Sequence, residues 1–110
     1  MLDAMGEEAT FSITRRGDDD VVLDLAGELD VVGAPALGAE IERIIADRPR
    51  RLLVDLADVD FLDSAGLATL VHGLNQADAA GVEFALASPN RRCYELLEVT
   101  RLDDVFKIID

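Results

Sequence analysis

Hydrophobic and polar positions fall into a regular succession of strand and helix patterns along this 110-residue chain. Phe11 and Ile13 alternate with Ser12 and Thr14, which predicts a short strand with one buried face. Gly17-Asp18-Asp19-Asp20 is a turn signal. Val21, Leu23 and Leu25 then alternate with Val22, Asp24 and Ala26, giving a second strand in a hairpin with the first. Gly27-Glu28-Leu29-Asp30 leaves that strand and leads into a helix. Pro35 sits in its first turn, where a missing N–H is harmless. Leu37, Ile41, Ile44 and Ile45 recur at i, i+4, i+7 and i+8 and form one apolar face. Pro49 stops the helix, with Arg48, Arg50 and Arg51 at the end where positive charge suits the helix dipole.

Leu52-Leu53-Val54 opens a strand running to Leu56, and its apolar run fits burial on both faces, as in a parallel sheet. The acidic stretch Asp55 to Asp63 reads as a loop, and a helix begins with Ser64, Ala65 and Gly66. Leu67, Leu70, Val71 and Leu74 share one side of that helix; Ala65, Ala68, Thr69 and His72 lie toward the other. Gly81 closes it. Val82, Phe84 and Leu86 alternate in the next strand. Ser88 looks like an N-cap with Pro89 at the first helical position, and Leu96 and Leu97 anchor this third helix. Val105, Phe106, Ile108 and Ile109 make a last short strand or an apolar segment packed over the core. The order β-β-α-β-α-β-α-β predicts a single α/β domain over residues 10–110. Its sheet is mostly parallel with an N-terminal antiparallel hairpin and packed helices. Residues 1–9 are acidic, lack periodicity and read as a flexible tail.

Composition narrows the function. Half the residues are hydrophobic, enough for a real core and against disorder. The formal net charge is -13, from 23 acids against 10 bases, and Lys107 is the sole lysine. Such a field repels nucleic acid, and no basic stripe offsets it. It suits solubility, and it also suits a basic protein partner. Cys93 is alone, so it forms no intramolecular disulfide and reads as a small core residue. With no leader pattern and no apolar run near ~18 residues, the expectation is a cytoplasmic protein without membrane insertion.

Candidate chemistry concentrates at Ser64. A strand-to-helix connection delivers its hydroxyl to a helix N-terminus, where free N–H groups and a partial positive charge favour a phosphate. The plainer reading is a helix N-cap. Asp30, at the mouth of another β-to-α turn, either caps its own helix or meets a partner. Asp63 either caps the second helix or positions the Ser64 hydroxyl. Gly66 gives room to a partner's backbone or permits tight packing. Hydrolase chemistry lacks support: His72 lies eight residues beyond Ser64, ~12 Å along the helix, and no G-x-S-x-G elbow occurs. A Ser–Lys arrangement with Lys107 has no supporting motif. No P-loop is present, and one Cys with one His makes no zinc site. Asp55, Asp58, Asp60 and Asp63 lack the spacing of a calcium loop. No cofactor or metal is expected, and no enzymatic activity.

The run Val59-Asp60-Phe61-Leu62-Asp63-Ser64-Ala65-Gly66-Leu67 resembles the phosphorylatable loop of STAS domains of the bacterial anti-sigma factor antagonist type. Gly27-Glu28-Leu29-Asp30, Ala87-Ser88-Pro89 and Val105-Phe106-Lys107-Ile108 extend the resemblance over nearly the whole chain, in the family's order. The resemblance implies a non-enzymatic partner-switching module. Ser64 is then phosphorylated by an anti-sigma factor serine kinase, which carries the ATP, and reset by a phosphatase. Asp30, Asp63, Ser64, Ala65, Gly66 and Leu67 are the implied partner-binding residues. Position 65 is Ala where a second hydroxyl is frequent in relatives, leaving Ser64 as the loop's acceptor. Two alternatives stand beside this: a STAS subunit of a lipid-transport ATPase or stress-sensing complex, and a receiver domain phosphorylated on Asp55. A receiver needs an acidic pair after its first strand and a lysine after its last, and Asp18-Asp19-Asp20 and Lys107 fall elsewhere in this pattern.

Overall fold

Five strands lie side by side in chain order, with the first pair antiparallel and the rest parallel. The computed structural model describes residues 11–109, so the tail expected over residues 1–9 lies outside the described residues. The strands are β1 (Phe11–Arg16), β2 (Asp20–Leu29), β3 (Arg51–Leu62), β4 (Glu83–Ala87) and β5 (Lys107–Ile109). The helices among the described residues are α1 (Ala34–Ala46), α2 (Ser64–Ala80) and α3 (Arg91–Val99). Each of the three parallel crossovers steps to the next strand in the same direction. With the usual right-handed connection this sends α1, α2 and α3 to one face of the sheet.

That layering corrects one expectation. Leu52, Val54 and Leu56 are fully buried under the helices, but Leu53 and Asp55 on the opposite face are only half-buried. β3 therefore alternates and is not buried on both sides. It is also longer than its apolar run, because Ala57 to Leu62 continue the strand beside β2, with register irregularities near Ala26 and Glu28. β2 likewise runs through Gly27 to Leu29.

Leu23, Leu25, Leu37, Ile41, Ile44, Leu70 and Leu97 meet in one continuous core with the inward residues of β3 and β4. The apolar face read in α1 is the buried one. Gly73 lets α1 and α2 approach closely: a Cβ there would lie 3.1 Å from Ile41 Cγ2 and 3.3 Å from the Phe84 ring. Phe106 completes the core against Phe84, with ring centroids 6.2 Å apart, whereas Val105 stays exposed.

The N-terminal end of the parallel strands is laced by its turns. Gly17 adopts φ 87° at the β1–β2 turn, and a Cβ would fall 2.1 Å from the Asp20 carbonyl oxygen. Arg50 donates its backbone N–H to the Asp19 carbonyl (2.9 Å) and its guanidinium to Asp20 (2.6 Å). Arg50 and Arg51 are thus not helix-dipole partners as expected: the first clamps the hairpin and the second opens β3. Among the described residues, no helix is long and apolar enough to cross a membrane.

The start of α3 also differs from expectation. Ser88 takes a positive φ of 50° and donates its N–H to Ile109. Asn90 is the cap, accepting from the Cys93 N–H at 3.0 Å, while its amide donates to the Val59 carbonyl. That second bond ties the helix start to the end of β3, and shifts it two residues beyond Ser88.

Cys93 is buried as expected, with Sγ facing the Val59 carbonyl. Burial pushes its thiol pKa up. Iodoacetamide at neutral pH is expected to modify the native thiol at least ~100-fold more slowly than the urea-unfolded one, because attack requires opening of the core. Comparable rates by mass spectrometry would show that this side chain is not sequestered.

Candidate functional site

β2 and β3 leave the sheet at the same end, and their exits are bonded to each other. Leu29 pairs with Leu62 in the ladder. One residue on, the Asp63 N–H donates to the Leu29 carbonyl at 3.2 Å. Each chain then turns into a helix through an aspartate. Asp30 Oδ1 accepts from the N–H groups of Val32 (3.0 Å) and Gly33 (3.3 Å), and its carbonyl accepts from Ala34 N–H at 2.8 Å. Asp63 is the N-cap of α2, with Oδ1 accepting from Gly66 N–H at 2.9 Å. Of the alternatives weighed for these two residues, Asp63 shows the capping role, whereas Asp30 braces the turn ahead of α1, whose N-cap is Gly33 without a side-chain bond.

This changes the position of Ser64. It is not the cap but the first residue of α2, and it is exposed. Its hydroxyl is therefore spared the structural task that makes serine common at helix starts. Asp63 adjoins it on one side and half-buried Ala65 on the other.

Two residues expected at a partner surface lie beneath it. Gly66 is buried, and a Cβ there would stand 2.7 Å from both the Leu29 carbonyl oxygen and Leu29 Cγ, and 2.8 Å from Leu62 Cδ1. Leu67 is 6% exposed and belongs to the core. Their side of the helix faces inward, so they shape the loop from below, and of the expected set Asp30, Asp63, Ser64 and Ala65 reach solvent.

The same end carries surface features that the sequence reading missed. Val31, Val32 and Phe61 are exposed at 68%, 83% and 47%. The signal for the two valines was present: they fall between Asp30 and Gly33, outside the apolar period of α1. Arg92 Nη1 donates to the Asp60 carbonyl at 3.4 Å, and with Asn90 it ties α3 to the strand that ends at Ser64.

Competing chemistries are not assembled. His72 is exposed two turns along α2. Lys107 pairs with Glu83 and, by that hydrogen bond, draws the Glu83 pKa down. Asp55 lies within β3 rather than at its end, with Oδ1 accepting from Ala57 N–H at 2.9 Å. Asp18, Asp19 and Asp20 sit at the opposite end of the sheet, in and beside the hairpin turn. A receiver's phosphate pocket, on a sheet ordered 2-1-3-4-5, therefore has no counterpart here. Among the described residues, no group of three or more His, Cys, Asp or Glu could hold a metal ion.

Fold and loop together define a one-sided α/β module with a free serine at a helix start. The STAS domain family matches residues 12–110, and the chain belongs to that family. It is 29% identical over 94 residues to the anti-sigma-B factor antagonist of Bacillus subtilis, covering 86% of this chain and 85% of that one. It is 31% identical over 87 residues to the anti-sigma-F factor antagonist RsfB of Mycobacterium tuberculosis, covering 79% and 70%. The crystal structure of an anti-sigma factor antagonist from Mycobacterium paratuberculosis superposes with a TM-score of 0.82 at 29% identity, covering 90% of this chain and 85% of that one.

Two substitutions test the framework. Gly66→Ala gains helix propensity of at most ~1 kcal/mol. It also forces a methyl against Leu29 and Leu62, which costs more, so a net loss of about 1–2 kcal/mol is expected in urea unfolding. An unchanged midpoint would show that the seat has room. Asp63→Ala removes one cap and is expected to cost about 1 kcal/mol, with amide exchange rising first at Gly66.

Proposed function

We propose that the chain is an anti-sigma factor antagonist that works by phosphorylation-controlled partner switching. With Ser64 unphosphorylated it binds and sequesters an anti-sigma factor kinase, freeing a sigma factor. With Ser64 phosphorylated by ATP held in that kinase, it lets go, and a phosphatase resets it. It acts in the cytoplasm as a regulator and not as an enzyme. The observation that supports this reading best is the exposed Ser64 hydroxyl at the start of α2, relieved of capping by Asp63.

The physics of such a switch is local. Phosphorylation adds about -1.5 to -2 charge and three acceptor oxygens. The free amides at the start of α2 tolerate that charge, and α2 is held to the core by Leu67, Leu70 and Ala77. The fold therefore persists. The surface changes instead: a dianion stands beside Asp63, on a chain of net charge -13. A partner evolved to meet a neutral hydroxyl then encounters bulk and charge at the centre of its contact. A loss of ~3 kcal/mol there weakens binding about a hundredfold.

Capture from cell lysate on immobilised wild type, Ser64→Ala and Ser64→Glu tests the proposal. Wild type and Ser64→Ala are expected to retain a kinase and Ser64→Glu to lose it. Mass spectrometry of the native protein is expected to find phosphate on Ser64 and on no other residue of the loop. Equal recovery by all three proteins would reject the mechanism.

A further inference from the structure

With α1, α2 and α3 on one face of the sheet, the other face has no cover among the described residues. Parallel strands are ordinarily covered on both faces. Along Arg51–Asp55, where β3 is paired on both sides, the bare face has an apolar centre. Val22, Leu53 and Ala85 stand there in one row, each in register with the next. Val22 and Leu53 are half-buried, and Ala85 is covered by its neighbours. Around this row, Arg16 pairs with Asp24, Arg50 with Asp20 and Lys107 with Glu83. This stretch is therefore charge-balanced on a chain of net charge -13. Two groups are left over, both on β3. Arg51 and Asp55 join no ion pair among the described residues, and Arg51 Nε is buried without a hydrogen-bond partner there. They flank Leu53 evenly, one on either side along the outward-facing positions of the strand.

We propose that this face is a dimer interface, occupied by the same face of a second copy with its strands antiparallel to the first. A two-fold axis at Leu53 seats Leu53 on Leu53. It also brings Arg51 of each copy onto Asp55 of the other, since both lie ~6.6 Å from the axis along the strand. The contact is self-complementary, as a two-fold interface must be. Charge selects the face: the acid excess lies elsewhere on the surface and repels a second copy, whereas this stretch is balanced and has two opposite charges to match. Aligned sheets cross at about -30°, so the ion pairs at the two edges splay apart and the Leu53 row makes the closest contact. At ~4.8 Å between strands and ~3.3 Å per residue, the sheet offers roughly 500–600 Å² of flat area, the low end of a specific interface. A reversible dimer of about micromolar affinity is in keeping with that size. The apolar run Leu52-Leu53-Val54, which read as a strand buried on both faces, then has its second face covered in the dimer. The proposal does not rest on the role of Ser64, because α2 packs on the opposite face of the sheet and its first residue stays open in the dimer.

Sedimentation of the full chain over a concentration series reads the dimer Kd. Leu53→Lys is expected to raise it at least ~10-fold, because it sets two cations against each other at the axis. Arg51→Glu and Asp55→Arg are each expected to be monomeric alone, since each places like charges face to face. Mixed in equal amounts, the two variants are expected to form a heterodimer, because the exchange restores both attractions. A residue with a merely structural role would not show that recovery. Should either charge reversal fail to melt cooperatively, Leu53→Lys decides. A wild type that stays monomeric at ~1 mM would overturn the proposal and leave the face to the segment before Phe11 or to another protein. A wild-type dimer that Leu53→Lys leaves intact would put the contact elsewhere and overturn it. Loss of the dimer in both reversals without recovery in the mixture would overturn the antiparallel docking.

Discussion

The bond from the Asp63 N–H to the Leu29 carbonyl fixes where the two β-to-α turns stand relative to each other. It extends the β2–β3 ladder by one step beyond the sheet and ties the two turns together. Gly66 rests directly on the same carbonyl. With a larger residue, α2 would ride up from Leu29 and the cap bond from Gly66 N–H to Asp63 would stretch. Backbone pairing, a missing side chain and a carboxylate cap thus converge within a few ångströms, and Ser64 takes its place from them.

Under the proposed function, the division of labour between Asp63 and Ser64 separates stability from regulation. A serine that capped its own helix would surrender a backbone hydrogen bond on modification, and the change would be felt in the fold. Here the cap belongs to the preceding residue. A modification at the next position therefore alters the exterior with little effect on the helix. The acidic surface sharpens that response, since added negative charge joins an existing negative field rather than cancelling a positive one.

Much of this was legible in the chain. The alternation in β1 and β2, the apolar face of α1 and the closing Gly81 have purely local causes, and they appear where the pattern placed them. The misreadings share a nonlocal cause. Asp58 and Asp60 look like loop residues, yet β3 continues through them because β2 lies alongside and pairs with it. Ser88 looks like a cap, but Asn90 wins by also reaching Val59 on another element. Arg50 looks like a dipole partner and is claimed by Asp20, thirty residues away. Ser64 is singled out by its motif, and the structure places it exposed at the start of α2. The inward turn of Gly66 and Leu67 depends on how α2 lies against Leu29 and Leu62, which no single segment encodes.

All three strand-to-helix turns leave from one end of the sheet, while Arg50 gathers the connections at the other. Its backbone carbonyl accepts from Glu83 N–H, its own N–H reaches Asp19, and nearby Arg48 reaches the Ala80 carbonyl. The molecule is polarised along its strands, with a sealed base and an open crown. Substitutions at the base, around Gly17 and Gly81, act on the turns that close the scaffold. With the partner surface proposed at the crown, substitutions there change recognition without disturbing the scaffold beneath.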